Sequence, residues 1–253
     1  MTAAPEARPI RPAATAIVMR EPAGSPPELL MIRRSTAIVF AGAWVFPGGQ
    51  IDAGDRALAE ATAADGLDLD PEDRASRIAA IRETIEEAAC PIGLDPIPDP
   101  DRLIAMRAAL HRGEPLATLL ADHGLRLALD RLVPFSRWIT PPNQAKRFDT
   151  RFYLARAEGD AACEPDGTET AETMWVTAEK MLELGAGDLI FPTALSLHRL
   201  ALHADFEAAA AHSALQSPDP VIPKMLEIDG ERYLTVPEGW GFPDIRYPIT
   251  GRR

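Results

Sequence analysis

Between Asp70-Pro71 and Pro91 lies a segment whose fold is nearly dictated by its residues. Asp70 supplies an N-cap, Pro71 suits the first turn, and Glu72 and Asp73 stand at the positive end of the helix dipole. The helix must stop before Pro91. At 3.6 residues per turn, Glu83, Glu86 and Glu87 share an arc of about 100°, while Ile78, Ile81 and Ile85 fall about 160–220° from Glu83. This predicts a helix that docks by its isoleucines and presents three carboxylates outward from the core. Like charges at these spacings each cost a helix roughly 0.2–0.5 kcal/mol. A hard divalent cation with oxygen ligands reverses that repulsion. A solvated acidic face, with Arg82 paired to Glu86, is the plainer alternative.

Around this helix the chain mixes both kinds of element. Residues 1–12 read as a flexible, proline-rich arm. Residues 13–20 and 28–34 are strand-like and are joined by EPAGSPP, which predicts a hairpin. Residues 44–46 continue as a short strand, stopped by Pro47-Gly48-Gly49. Residues 55–65 are helix-compatible, and 100–130 hold one or two short helices. Strands are expected at 132–140 and 148–155, around the Pro141-Pro142-Asn143 turn, and at 174–176. Residues 193–211 form an amphipathic pattern, read as one helix. The tail, 212–253, is expected to be an extension packed on the same domain, with short strands at 221–228 and 231–236. Prolines number 24, nearly twice the ~5% norm, so many turns should be rigid. The expected organisation is one α/β domain over 13–211.

Several function classes drop out. The longest apolar stretch, 37–46, is ten residues, half the roughly twenty of a membrane span. The first residues lack a continuous apolar segment, so a secretory signal is not expected and the cytoplasm is the expected location. A net charge of −12 argues against nucleic acid or a membrane surface as partner. The distribution says more than the total. Residues 60–101 hold twelve acids and three bases, whereas 131–156 hold six bases and Asp149 alone. The first segment suits cations and the second anionic groups. Cys90 and Cys163 are far apart in sequence, so they read as two reduced structural thiols rather than a disulfide framework or a CxxC site. The five histidines form no HExxH, and GxSxG, Walker and GxGxxG patterns are missing. Trp44, Trp138 and Trp175 lie in or beside strands and are simplest as core.

A strand ending in Phe46-Pro47-Gly48-Gly49 and a later helix bearing Arg82-Glu83-Thr84-Ile85-Glu86-Glu87 together resemble the Nudix hydrolases. Their box reads G, five residues, E, seven residues, then REUxEExGU, with U a bulky apolar residue. Gly49 matches the first glycine, and Asp55 stands for the first glutamate. Arg82, Glu83, Glu86 and Glu87 match the RE and EE positions, and Ala89 replaces the last glycine. From Gly49 to Cys90 the stretch is 42 residues instead of 23, so 19 extra residues lie between Asp55 and Arg82. FPGGQIDAGD, AIRETIEEAA and RWITPPNQAKRFDTRFYLA look like the branch that carries such an insertion and includes the peroxisomal coenzyme A diphosphatase of animals.

The resemblance implies a Nudix-like α/β/α sandwich with a mixed sheet, its insertion at about 56–74 being a surface excursion beside the site. It implies a metal-dependent hydrolase cleaving the diphosphate linkage of a nucleoside-diphosphate derivative. Coenzyme A or acyl-CoA is the first substrate class; ADP-ribose, dinucleotides and nucleotide sugars are the second. A catalytically inactive ligand sensor on the same fold is a third reading, and a homodimer is left open. Mg²⁺ or Mn²⁺ would be held by Glu83, Glu86 and Glu87 with the Gly48 carbonyl, and Arg82 would brace the carboxylates. Asp55, Glu169 and Glu172 are the accessory acids to examine. Arg33 falls at the outer arginine of a coenzyme A patch, whose inner arginine is replaced by Ile38. Arg147, just after a turn in the basic segment, is the expected phosphate contact, with pairing to Asp149 as the alternative.

Overall fold

Apolar residues on both faces of the first two strands require a sheet covered on both sides. The computed structural model describes residues 9–35, 41–63, 66–142, 144, 146–159 and 163–248. In β1 (Ile10–Arg20) and β2 (Glu28–Arg34), Ala14, Ala16, Val18, Leu30 and Ile32 enter one buried core, and Ile17, Met19, Leu29 and Met31 enter another. β3 (Trp44–Val45) and β4 (Gly48–Gln50) precede α1 (Ala53–Ala61) and α2 (Pro71–Ala88). Next come β5 (Leu94–Asp95), α3 (Pro100–His111), α4 (Leu116–Asp122) and β6 (Arg126–Leu127). β7 (Val133–Ile139), β8 (Arg147–Arg156) and β9 (Thr170–Val176) complete the main sheet. α5 (Ala178–Leu184), α6 (Phe191–Leu200) and α7 (Phe206–Ala214) follow, and then β10 (Lys224–Ile228), β11 (Glu231–Thr235) and β12 (Tyr247–Pro248).

The main sheet runs β3-β2-β1-β8-β7, with β4 also on β1 and β9 also on β2. β1 and β8 are parallel, and every other pairing in this sheet is antiparallel. The sheet is therefore mixed. One face is covered by α1 to α4 around Ile78, Ile81 and Ile85. The other is covered by α5 to α7 around Met181, Leu195, Leu197 and Phe206. This is an α/β/α sandwich. No helix of the described residues is long and apolar enough to cross a membrane.

The structure differs from the sequence expectations in four places. β1 begins at Ile10, because it runs parallel to β8 from the Ile10–Arg147 register onward; the last residues of the expected arm belong to the sheet. Pro47-Gly48-Gly49 does not end the sheet locally. Gly48 and Gly49 pair with Thr15 and Ala14, and the Ala16 amide donates to the Pro47 carbonyl at 2.9 Å. The single helix expected over 193–211 is two, because Asp205 accepts the Ala208 amide at 2.8 Å and starts a new N-terminus. The described residues of 56–74 form no strand, but they are more than a polar excursion. Leu58 and Ala59 are buried in the α2 layer, and Arg74 donates to the Leu67 carbonyl at 2.9 Å.

The tail is stitched to the sandwich. Val221 exchanges backbone hydrogen bonds with Arg137 and Ile139 at the edge of β7 (2.7 and 3.0 Å). Phe242 packs on Trp138 and Tyr247 on Phe191, with ring centroids 5.0 and 5.6 Å apart.

Candidate active site

The C-terminal half of α2 lies against β4, and two glycines let it come close. Gly48 donates its backbone N–H to Glu87 Oε2 at 2.8 Å. A Cβ on Gly49 would lie 2.5 Å from Glu83 Cδ and 2.7 Å from its Oε2, so only glycine leaves room for that carboxyl group. Arg82 uses every donor it has. Its Nε and Nη2 donate to the two oxygens of Asp55 (3.0 and 2.9 Å), and Nη2 also donates to the Gln50 carbonyl at 3.0 Å. Its Nη1 donates to Glu83 Oε1 and to Glu86 Oε2, each at 2.8 Å. A guanidinium carries five N–H groups, and all five are engaged. Arg82 therefore holds carboxylates in place and has no N–H left for a substrate. Asp55, also the fourth residue of a capping box with Asp52, is buried.

The three glutamates do not face open water as the helical wheel suggested. Their side chains are 14%, 21% and 6% exposed for Glu83, Glu86 and Glu87, and β4 lies against Glu83 and Glu87 on that face. Burial pushes the Glu83 carboxyl up to about 7 against the pull of Arg82. Burial and the Glu83 charge push Glu87 well up, against the Gly48 N–H and Arg34. Burial also raises Glu86 and Asp55, with Arg82 opposing in each case. For Arg82 itself, burial opposes the charge, but Asp55, Glu83 and Glu86 outweigh it and hold the group above its usual range.

Desolvated carboxylates at this spacing have the donor chemistry of a hard-cation site. Among the described residues, Glu83 Oε2 and Glu86 Oε1 accept no hydrogen bond, and Glu87 Oε1 has only Arg34 at 3.8 Å. The donor chemistry is that of a hard divalent cation, but no group of three acidic, histidine or cysteine side chains among the described residues is placed to hold a metal ion.

No protein-family model matches the chain. The crystal structure of a NUDIX hydrolase from Alicyclobacillus acidocaldarius is similar at 30% identity and a TM-score of 0.67, over 84% of this chain and 99% of that one. The chain belongs to the Nudix hydrolase family. A Caenorhabditis elegans relative named as nudix hydrolase 7 is 24% identical over 214 residues, 82% of this chain. The chain spans 66% of that relative's length.

Within the Nudix box, Asp55 bonds Arg82 directly, so the shorter side chain still reaches its partner. Ala89 caps α2 at φ 45°, a left-handed conformation that explains why the family pattern has glycine there. The other residues singled out from sequence fall in different places. Arg33 points to the far face of the sheet, stacking over Trp44 at 5.8 Å and pairing with Glu172 at 3.2 Å. Neither Arg33 nor Glu172 reaches the carboxylates. The arginine beside Glu87 is Arg34. Strand alternation could have found it, since Arg34 shares the face of Leu30 and Ile32. Glu169 stands near enough to Glu87 to raise its carboxyl, and its carbonyl accepts the Ser35 amide at 2.8 Å. His111, one of the five histidines, lies at the end of α3, within electrostatic reach of Glu86. Ile38 lies outside the described residues.

The basic segment meets the acidic one. Arg151 pairs with Asp73 at 3.3 Å, Tyr153 donates to Asp73 at 2.7 Å, and Arg137 pairs with Asp149 at 2.6 Å. Much of the +5 charge is thus spent on the start of α2 and on Asp149. Arg147 does not pair with Asp149; its Nε donates to the Thr140 carbonyl at 3.1 Å. It has no carboxylate partner among the described residues.

Proposed function

We propose that this Nudix family member hydrolyses the diphosphate linkage of a nucleoside-diphosphate derivative, with coenzyme A or acyl-CoA as the first substrate class. The observation that carries this reading is the saturated Arg82. It fixes Glu83 and Glu86 beside Glu87, and among the described residues one oxygen of each glutamate accepts no hydrogen bond. Such an arrangement spends a buried cation on ordering acids, which a merely solvated face does not need.

Glu83, Glu86 and Glu87 would hold Mg²⁺ or Mn²⁺, assisted by the Gly48 carbonyl. When bound, the ion supplies Lewis acidity toward phosphate oxygens and lowers the pKa of a water molecule. Arg34, beside Glu87, balances phosphate charge on the substrate. Glu169 is the accessory acid of the pair named from sequence, since Glu172 is held by Arg33 on the other face. Arg151, which anchors the N-terminal half of α2, lies four residues or roughly 13 Å along β8 from Arg147. Arg147 therefore serves a phosphate remote from the diphosphate, as coenzyme A has on its ribose.

The test is incubation of purified protein with Mg²⁺ or Mn²⁺ and a panel of coenzyme A, acyl-CoA, ADP-ribose, dinucleotides and nucleotide sugars. Products are identified by mass spectrometry, with Glu86→Gln as the control. Release of two monophosphate halves by the native chain and not by Glu86→Gln supports the reading. Saturable binding without any cleavage would instead favour the ligand-sensor reading.

A further inference from the structure

Glu169 is pinned at its backbone and free at its side chain. Its N–H donates to Asp166 Oδ2 at 3.1 Å, and its carbonyl accepts the Ser35 amide at 2.8 Å. Its carboxylate is exposed and makes no hydrogen bond or ion pair among the described residues. The next residue, Thr170, opposes Arg34 in the β2–β9 register, and Arg34 lies 3.8 Å from Glu87 Oε1. Asp166 is the hub of this segment. Its side chain is only 2% exposed, and its Oδ1 accepts the Thr170 N–H at 2.7 Å. Its Oδ2 takes the Thr168 hydroxyl as well as the Glu169 N–H. Burial opposes the Asp166 charge, but the Thr168 hydroxyl and the backbone N–H groups outweigh it and hold the carboxyl below its usual range. The hub is in turn strapped to α3. Arg107 Nη1 donates to the Glu164 and Pro165 carbonyls at 2.8 and 3.3 Å. One turn further along the same helix face, His111 Nε2 stands 3.9 Å from Asp166 Oδ2, an ion-pair distance. Leu103, Met106 and Leu110 of α3 share one buried core with Ile78, Ile81 and Ile85 of α2, so the strap is anchored to the layer that bears the carboxylates.

We propose that Arg107 and Asp166 are positioning residues for the hydrolytic reaction, holding Glu169 at a fixed place relative to Glu83, Glu86 and Glu87. This rests on the reading of the site as a diphosphate hydrolase with Glu169 as its accessory acid. An acid on an untethered loop samples many backbone arrangements, and freezing them as substrate arrives takes away from transition-state stabilisation. Here the backbone on both sides of Glu169 is ordered in advance, and only its own side-chain torsions remain. Asp166→Asn is the sharpest probe of that arrangement. It keeps the shape of the side chain and an oxygen for the shorter bond to Thr170. It also sets an NH₂ group against the Glu169 N–H, so Glu169 loses its acceptor while its neighbour keeps one. Arg107→Ala acts one step further away, by releasing the Glu164 and Pro165 carbonyls from α3.

The experiment compares the native full chain with Arg107→Ala, Asp166→Asn, Glu169→Gln and the two double variants that carry Glu169→Gln. Amide hydrogen exchange is recorded first, without metal or substrate, so that the tether is read apart from catalysis. The Glu169 amide should exchange at least about tenfold faster in Asp166→Asn, and residues 164–170 should exchange faster in Arg107→Ala, while the amides of α2 keep their native protection. Kinetics are then measured with Mg²⁺ on the diphosphate compound that the native chain cleaves. Each single variant should lower kcat about tenfold or more and change KM less than about threefold. In the Glu169→Gln background, neither Arg107→Ala nor Asp166→Asn should lower kcat further, because the residue they act through is already disabled. Native exchange at Glu169, kcat within about twofold of the native chain, or a loss that persists undiminished in the Glu169→Gln background would each overturn the proposal. A native chain that cleaves no member of the panel refutes the hydrolase reading, and the proposal falls with it; native turnover with unaffected variants overturns the proposal alone.

Discussion

Adding one methyl group at Gly49 measures whether Glu83 stands where the chemistry needs it. The new Cβ of Gly49→Ala would sit 2.5 Å from Glu83 Cδ and 2.7 Å from Oε2. Ordinary contact begins near 3.4 Å, so the carboxyl group must retreat by about 1 Å. The far end of a side chain can do this at about 0.5–1.5 kcal/mol for an off-rotamer torsion. That lowers the thermal midpoint by about 1–6 °C. A 1 Å misplacement at a reacting centre costs on the order of 100-fold in turnover. Gly48→Ala is the contrasting case, because its Cβ meets the β1 backbone, with Thr15 Cα at 2.7 Å. Backbone in the middle of a sheet cannot step aside, and overpacking there costs about 1–3 kcal/mol or more. The pair is read by thermal melts, urea unfolding and kcat on whichever diphosphate the panel identifies. Turnover within twofold of the native chain for Gly49→Ala would remove Glu83 from the reaction centre. Equal destabilisation by both substitutions would show that the Glu83 carboxyl cannot yield and that the steric reasoning is wrong.

Three further outcomes are expected. Arg34→Ala should lower kcat/KM tenfold or more, about 1.4 kcal/mol, while Arg33→Ala changes it less than threefold; equal effects would restore Arg33 to the site. Arg147→Ala should cost at least tenfold in kcat/KM with coenzyme A and little with ADP-ribose, and unchanged kinetics on both would dismiss it. The buried Glu83 and Glu87 carboxyls lie above the usual 4.5 in the folded chain, Glu83 at about 7. Their contribution to stability is full below about pH 4.5 and is lost as pH rises through about 7. Chelator-treated protein should therefore resist urea better at pH 6 than at pH 8. Glu83→Gln should shrink that difference, and a difference of opposite sign would refute the burial argument.

Much of the sandwich was legible because its elements carry strong local signals. Asp70-Pro71 starts α2 where expected, the EPAGSPP turn joins β1 to β2, and Ile78, Ile81 and Ile85 all lie in the core. Most of the misreadings share a physical cause, since they depended on a partner distant in sequence. A helical wheel places Glu83, Glu86 and Glu87 opposite the isoleucines, but it cannot show that β4 covers them. Pro47-Gly48-Gly49 carries turn chemistry, and only the facing β1 makes it a strand. Arg33 was chosen by motif over Arg34, although the alternation of Leu30 and Ile32 against Leu29 and Met31 already distinguished their faces. The charge blocks were read as ligand surfaces because sequence does not show that Arg151 and Asp73 meet.

The parallel pairing of β1 with β8 sets a clock on synthesis. Ile10 pairs with Arg147, so 137 residues (147 − 10) separate the two strands. At about 5–20 residues per second, β8 is made roughly 7–27 s after β1. Through that interval β2 and β4 can shield one edge of β1, while the other edge, with Ile17 and Val18, has no partner. An open apolar strand edge invites pairing with other chains. The nascent protein is thus most exposed to aggregation before the element that closes its sheet has been translated, and protease sensitivity of β1 in ribosome-bound chains should end only once β8 has emerged.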